Sequence, residues 1–145
     1  MRRLNLRRVT AMASIAVMTA GAAGCGGTDT TSTVSTVTSP SVTITETYTG
    51  TVAVGGAAAF SFGVTAAGSV TATYKTMTPS STATMGLALG IWNGSTCQIV
   101  IANDNAVLNT TVIGQASAAG TLCVRAYDIG KLTGTQTVEL SITHF

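Results

Sequence analysis

The sequence predicts an all-β domain, an antiparallel β-sandwich of jelly-roll-like type with about eight short strands. Apolar and polar residues alternate along most of the chain beyond Ser41, and turn residues recur about every ten positions. No segment of that region keeps a helical period. Thr, Ser, Ala, Val and Gly dominate a composition that is only 8% charged, which favours strands over helices.

The first half of the domain holds three predicted strands, which end near the turn signals Gly55-Gly56, Ala66-Ala67-Gly68 and Thr78-Pro79. Each alternates apolar residues with small or polar ones. The alternating apolar residues are Val42, Ile44, Val52, Val54, Phe60, Phe62, Val64, Val70, Ala72 and Tyr74.

The second half begins with a predicted hairpin. Met85 to Trp92 forms one strand, Asn93-Gly94 suits the positive φ angles of a tight turn, and Cys97 to Ile101 returns beside it. Asn103-Asp104-Asn105 is predicted to be a turn. Three further strands are predicted over 107–116, 122–127 and 136–143. With no crossover helices, this series favours a sandwich.

The N-terminal segment has the pattern of an export signal. Residues 1–8 carry four arginines, and Val9 to Ala23 is an uncharged apolar run that ends in small residues. As a helix the run would span roughly 22 Å, short of the ~30 Å hydrocarbon core of a bilayer. A signal peptide over residues 1–24 is therefore preferred to a permanent transmembrane helix.

The tetrad Ala22, Ala23, Gly24 and Cys25 resembles the lipobox of bacterial lipoproteins. The resemblance implies that the leader is cut before Cys25 and that this thiol carries acyl chains, which would anchor the protein stably to a membrane. Gly26 follows the cysteine, and the resemblance then favours the outer membrane or cell surface. The alternative is ordinary cleavage near Ala23 that leaves Cys25 as a free thiol.

The segment 25–41 is predicted to be a linker, because it is rich in Gly, Ser and Thr and has no apolar face. Its end, from Thr36 onward, could instead belong to an edge strand. The predicted β-sandwich domain covers 42–145.

Within that domain, the segments from Tyr48 to Ile142 resemble the bacterial pre-peptidase C-terminal domain. The resemblance rests on Thr49-Gly50-Thr51-Val52, on Gly86-Leu87-Ala88-Leu89, and above all on the closing run from Ala119 to Tyr127. It implies a small jelly-roll-like sandwich of the type that is appended to secreted enzymes.

Two cysteines remain when Cys25 is assigned to lipid. In an oxidising compartment Cys97 and Cys123 are candidates for a disulfide. Strand alternation opposes this pairing. It places Cys97 on the same face of its strand as Ile99 and Ile101, but it places Cys123 on the face of its strand that is opposite to Leu122 and Val124. A bulge near the Asn93-Gly94 hairpin would reconcile the two, and separate thiols are the alternative.

Catalytic side chains are scarce, so the chain is predicted not to be an enzyme and to have no cofactor. His144 is the only histidine, and its place near the C-terminus predicts a solvated tail residue. The five acidic residues are scattered, and no serine lies in a nucleophile elbow. Asn103, Asp104 and Asn105 could bind Ca²⁺ with Asp128, but their suitability for turn geometry is the preferred explanation, and no metal is assigned.

The candidate binding residues are Trp92, Asn103, Asp104 and Asn105. Trp92 could form a stacking platform with Tyr74 and Tyr127 for a sugar or peptide, although core or edge packing is the preferred interpretation of the three aromatics. Beyond the leader, the chain keeps three basic and five acidic residues, so it has no basic stripe and nucleic acid is not an expected partner.

Together these features predict a lipid-anchored, extracytoplasmic lipoprotein that carries a non-catalytic binding or structural module. Its partners would be the membrane, through the lipid, and an envelope protein or glycan. The alternative function is an accessory subunit that assists an exported hydrolase or a secretion system through protein contacts.

Overall fold

A computed structural model describes residues 42–145. The predicted signal peptide 1–24, Cys25 and the predicted linker 25–41 lie outside the described residues. Regular structure in 42–145 consists of β-strands alone. This part of the chain therefore contains no helix long and apolar enough to cross a membrane.

Eight strands follow one another along the chain. Their bounds are β1 Ile44–Val52, β2 Ala57–Val64, β3 Gly68–Thr78, β4 Met85–Trp92, β5 Cys97–Ala106, β6 Thr111–Ala116, β7 Gly120–Tyr127 and β8 Gln136–His144. Each contains a predicted strand or most of one. Strand β6 is shorter than the strand predicted over 107–116. The reason is that Val107 to Thr110 form a turn, which is closed by a 2.9 Å hydrogen bond from the Thr110 N–H to the Val107 carbonyl oxygen.

The strands form two four-stranded antiparallel sheets. The first sheet has the order β1-β8-β3-β6, and the second has the order β2-β7-β4-β5. This interleaving of first and last strands is the jelly-roll arrangement. The predicted fold class, an antiparallel jelly-roll-like sandwich, is confirmed.

The core lies between the sheets and contains the residues that alternate inward along each strand. Val52, Phe62, Leu87, Val124 and Leu140 are among its buried members. Burying this apolar surface supplies the main stabilisation of the fold.

Tyr74 is a fully buried polar group in this core. Its hydroxyl donates a 2.8 Å hydrogen bond to the carbonyl oxygen of Gly86, so the phenol is satisfied without water. Burial raises the pKa of Tyr74 well above its usual value. The predicted stacking platform therefore excludes Tyr74.

The outer face of the first sheet is lined by hydroxyl side chains, which explains the polar half of the sequence alternation. Thr45 faces Thr143 across β1 and β8, with their hydroxyl oxygens 3.1 Å apart. Thr73 faces Thr111 across β3 and β6, at 2.9 Å. These cross-strand pairs stabilise the sheet without burial.

The predicted turn at Asn103-Asp104-Asn105 is wrong, because these residues lie inside β5. Pairing shifts between Met85 opposite Ala106 and Leu87 opposite Asn103, so β5 holds one more residue than β4 there. Their composition is typical of turns, but the chain continues along β4 and forms a β-bulge instead.

Candidate functional site

The outer face of the second sheet carries the predicted disulfide. The sulfur atoms of Cys97 and Cys123 are 2.08 Å apart and the Cα atoms 5.7 Å apart. These distances lie within the geometry of a disulfide, so the predicted pairing is confirmed. The bond joins the start of β5 to β7 across the intervening strand β4.

The alternation conflict between the two cysteines is resolved by a bulge at Val100. Leu89 faces Ile101, but the next residue, Gly90, faces Ile99, which leaves Val100 without a partner on β4. Ile101 therefore shares the inner side with Leu89, whereas Ile99 turns to the outer side with Cys97. The expected bulge exists, but within β5 and not at the hairpin.

Gly90 allows this crossing because it has no side chain. It pairs with Cys123 on one side, and a Cβ atom built on it would lie 2.1 Å from the carbonyl oxygen of Gln98. The backbone of β5 therefore lies directly over Gly90, which brings Cys97 within reach of Cys123. Any side chain at Gly90 would push β5 away from β4.

Beyond the disulfide, Tyr127 covers β4. A Cβ built on Gly86 would lie 2.2 Å from the Tyr127 ring, and the Tyr127 hydroxyl donates a hydrogen bond to Asp104. The guanidinium carbon of Arg125 lies 5.5 Å from the ring centroid, a cation–π contact. Burial and the bond to Asp104 raise the pKa of Tyr127 to about 12. The phenol therefore stays protonated at neutral pH.

The predicted oxygen ligands already have intramolecular partners. Asn103 Oδ1 accepts a 2.9 Å bond from the Asn105 amide, Asp104 accepts the Tyr127 hydroxyl, and Asn105 Oδ1 accepts a 3.0 Å bond from Lys131 Nζ. A cation here would have to displace these donors. Within residues 42–145 no group of three or more His, Cys, Asp or Glu side chains could hold a metal ion.

Asp128, the suggested fourth ligand, organises two loops. Its carboxylate accepts four backbone N–H groups, one across the loops at 2.8 Å from Gly55 and three within its own loop, from Gly130, Lys131 and Leu132. These bonds, led by the one from Gly55, lower the pKa of Asp128. Both oxygens are therefore occupied by the protein itself.

The structure does not bring Trp92 together with Asn103. Trp92 is half-buried at the hairpin end of β4 opposite Cys97, whereas Asn103 faces Leu87. Leu87 and Trp92 are five positions apart, roughly 17 Å along a strand. The four candidate binding residues therefore belong to two separate places on the second sheet.

His144 is not a solvated tail residue, and that prediction is wrong. It is the last residue of β8, is only 1% exposed, and stacks on Phe62 with ring centroids 5.3 Å apart. Its Nε2 lies 3.3 Å from Glu46 Oε1. The C-terminal strand does not fray because it lies between β1 and β3 in the first sheet.

Glu46 links His144 to Tyr48 at this end of the sandwich. The Tyr48 hydroxyl donates to Glu46 Oε2, and its ring stacks on Phe60 at 5.2 Å. Burial and the bond to Glu46 raise the pKa of Tyr48 to about 12. This cluster joins β1, β2 and β8. The imidazole has no exposed side-chain surface, so a substrate has no access to the histidine.

The opposite edge of the sandwich carries an apolar groove, here called the β5/β6 groove. It lies between the two edge strands β5 and β6 and has a volume of about 280 Å³. None of the residues that line it is charged. The larger aliphatic side chains that line it are Val70, Leu89, Ile91, Val100, Ile101 and Leu122.

Several large apolar side chains at this edge are open to solvent. Val100 is 70% exposed, and Ile91, Ile101 and Ile113 are also exposed. Contiguous exposed apolar surface marks interaction sites more often than scattered residues do. The β5/β6 groove is therefore the strongest candidate for a binding surface in the described part of the chain.

The β5/β6 groove was not predicted from the sequence. Alternation placed Ile91 and Ile101 among the inward residues, and it could not show that a sheet edge would leave them uncovered. The signal was present in Ile99-Val100-Ile101, three successive apolar residues that break the alternation.

Fold and site together define a small, disulfide-bonded jelly-roll module with an uncharged apolar edge. No model of a known protein family matches the chain, and no curated protein matches it.

Proposed function

We propose that this protein is a lipid-anchored lipoprotein of the bacterial cell envelope, whose β-sandwich is a non-catalytic binding or structural module. Its contacts with other molecules would be made through the β5/β6 groove. The uncharged, solvent-open apolar surface of that groove is the observation that carries the assignment of a binding role.

The extracytoplasmic location is supported by two independent features. The cationic and apolar leader ends in the lipobox-like tetrad before Cys25. The geometry of Cys97 and Cys123 suits a disulfide, and such bonds persist in oxidising compartments.

A binding role is favoured over catalysis by the state of the polar groups. Asp104, Asp128 and Glu46 are held by intramolecular hydrogen bonds, and His144 is enclosed between the sheets. A general acid or base needs access to substrate. The exposed surface of the groove instead offers apolar contact.

The resemblance to the pre-peptidase C-terminal domain is part of this proposal. The jelly-roll strand order supports it at the level of fold. A domain of that type would act beside other exported proteins and not on a substrate of its own.

Mass spectrometry of the mature N-terminus tests the anchor. We expect a chain that begins at Cys25 and carries acyl groups, and a Cys25→Ser variant that incorporates no labelled fatty acid. A mature chain that starts elsewhere, or that retains residues 1–24, would refute lipidation.

Envelope cross-linking tests the binding surface. A photoreactive residue at Ile101, in the groove, should form adducts in intact cells, whereas the same residue at Thr47, on the outer face of β1, should form few. Equal labelling from both positions would remove the groove from the proposal. Adducts to glycan and to protein are separated by glycosidase and protease digestion.

A further inference from the structure

We infer that β6 is a self-association edge, and that two copies of this chain pair through β6 in an antiparallel, two-fold symmetric dimer. The inference rests on the part of the proposed function that assigns contact to the β5/β6 groove. It does not depend on acylation of Cys25.

Among residues 42–145, nothing gives β6 the protection that is found on the other three sheet edges. Natural edge strands avoid pairing through bulges, inward charges or covered backbone groups. β5 has bulges at Val100 and near Asp104. β1 carries the inward carboxylate of Glu46, and the Ser61 carbonyl of β2 accepts a 3.4 Å bond from Tyr48.

β6 carries none of these devices. Its sequence, from Thr111 to Ala116, has no charge and no proline, and its pairing with β3 is regular throughout. Ile113 points outward and is 57% exposed. Such a strand can accept another extended strand through backbone hydrogen bonds.

The register of this pairing is constrained by the symmetry and by the two faces of the sheet. Two copies that extend the first sheet across a two-fold axis must keep their inner faces on one side, so each residue faces one of the same parity. Centring the axis on Ile113 places Ile113 against its copy and Thr111 against Gln115. Val112 then faces Gly114, the small residue that leaves room beside it.

This pairing also covers the β5/β6 groove. Pairing the first sheets of two copies through β6 brings the β5 edges of their second sheets opposite each other. Val100 and Ile101 of each copy then meet across the axis. Because no charged residue lines the groove, this contact leaves no buried ion without a partner.

The observations favour a second copy over an unrelated strand because the edge complements itself. It is uncharged on both sides of the axis, and a bulky residue meets a glycine. A strand from another protein would need to match the same uncharged pattern.

Disulfide cross-linking in membranes of cells that express the full chain tests the geometry. Ile113→Cys should give a covalent dimer under mild oxidation. Thr47→Cys, on the outer face of the same sheet but at its other edge, should not. Equal cross-linking of the two variants would overturn the proposed axis.

Sedimentation of the detergent-purified full chain tests the energetics. Ile113→Lys places two like charges on the axis and should weaken the dimer at least tenfold without changing the far-ultraviolet circular dichroism spectrum. Val54→Lys is the matched control, because Val54 is 58% exposed on a turn away from this edge. It should leave the dimer intact.

Two outcomes would overturn the inference. One is a wild-type chain that remains monomeric both in membranes and at the highest concentration reached in detergent. The other is an Ile113→Lys variant that dimerises as well as Val54→Lys. A monomeric chain whose Ile113→Cys variant forms a disulfide with another envelope protein would assign the edge to that protein instead.

Discussion

Asp128 shows how a single partly exposed carboxylate can order two loops. It accepts backbone amides from the β1–β2 turn at Gly55 and from its own loop, and the Asp128 amide returns a 2.9 Å bond to Gly56. The ionised form is the better acceptor for these amides. The stability that it supplies should therefore depend on pH.

We expect Asp128→Asn to lower the melting temperature at pH 7. Because the folded-state pKa of Asp128 is lowered, its contribution is complete above the unfolded value of about 4 and is lost as the pH falls through the folded value. The difference between variant and wild type should shrink below about pH 4.

Thermal melts followed by circular dichroism from pH 7 to pH 2.5 would measure this difference. Glu139→Gln, on the outer face of β8, is the control for loss of a carboxylate. A difference that stays constant over the whole pH range would show that the charge of Asp128 contributes nothing.

His144 is the second residue whose environment decides its role. We expect His144→Ala to reduce the free energy of unfolding by about 3 kcal/mol, because it removes a buried ring and leaves a cavity against Phe62. His144→Phe keeps the ring and should cost less. Urea denaturation of both variants provides the measurement, and equal losses would contradict a packing role.

At the scale of elements, the β4–β5 hairpin depends on Gly90. We expect Gly90→Ala to reduce the free energy of unfolding by about 1–3 kcal/mol, since its Cβ would overlap the backbone of Gln98, which cannot move aside as a side chain could. Displacement of the start of β5 should also leave Cys97 without its disulfide partner in a fraction of the molecules. Maleimide labelling under denaturing conditions would count the free thiols.

Gly63→Ala is the matched control for that substitution. Gly63 also lies in a strand of the second sheet, but a Cβ built there meets nothing within 4 Å. It should therefore leave both stability and thiol content nearly unchanged. If Gly90→Ala behaves in the same way, β5 does not depend on the close approach over Gly90.

At the scale of the whole molecule, the disulfide closes a loop with a sequence separation of 26 residues. In the chain-entropy model this stabilises the fold by about 3.5 kcal/mol, mainly by constraining the unfolded chain. A double variant, Cys97→Ala with Cys123→Ala, should lose that amount in urea denaturation. Reductant should destabilise the wild type and leave the double variant unaffected.

Much of the fold could be predicted because alternation is a local property. Phe60, Phe62 and Val64 show their strand and its inner face without reference to any neighbour. The prediction for Asn103 to Asn105 was wrong because pairing with β4 overrides their turn-like composition. The prediction for His144 was wrong because the place of β8 between β1 and β3 overrides its position near the C-terminus.

The sequence by itself determined the all-β class and the approximate strands, since both depend on residue type and spacing along the chain. Only the tertiary structure decided which strands became sheet edges, where Val100 bulged so that Cys97 could meet Cys123, and which apolar residues stayed uncovered. Those features depend on contacts between segments far apart in sequence, and a strand's own residues do not specify its neighbours. The β5/β6 groove belongs to this second group.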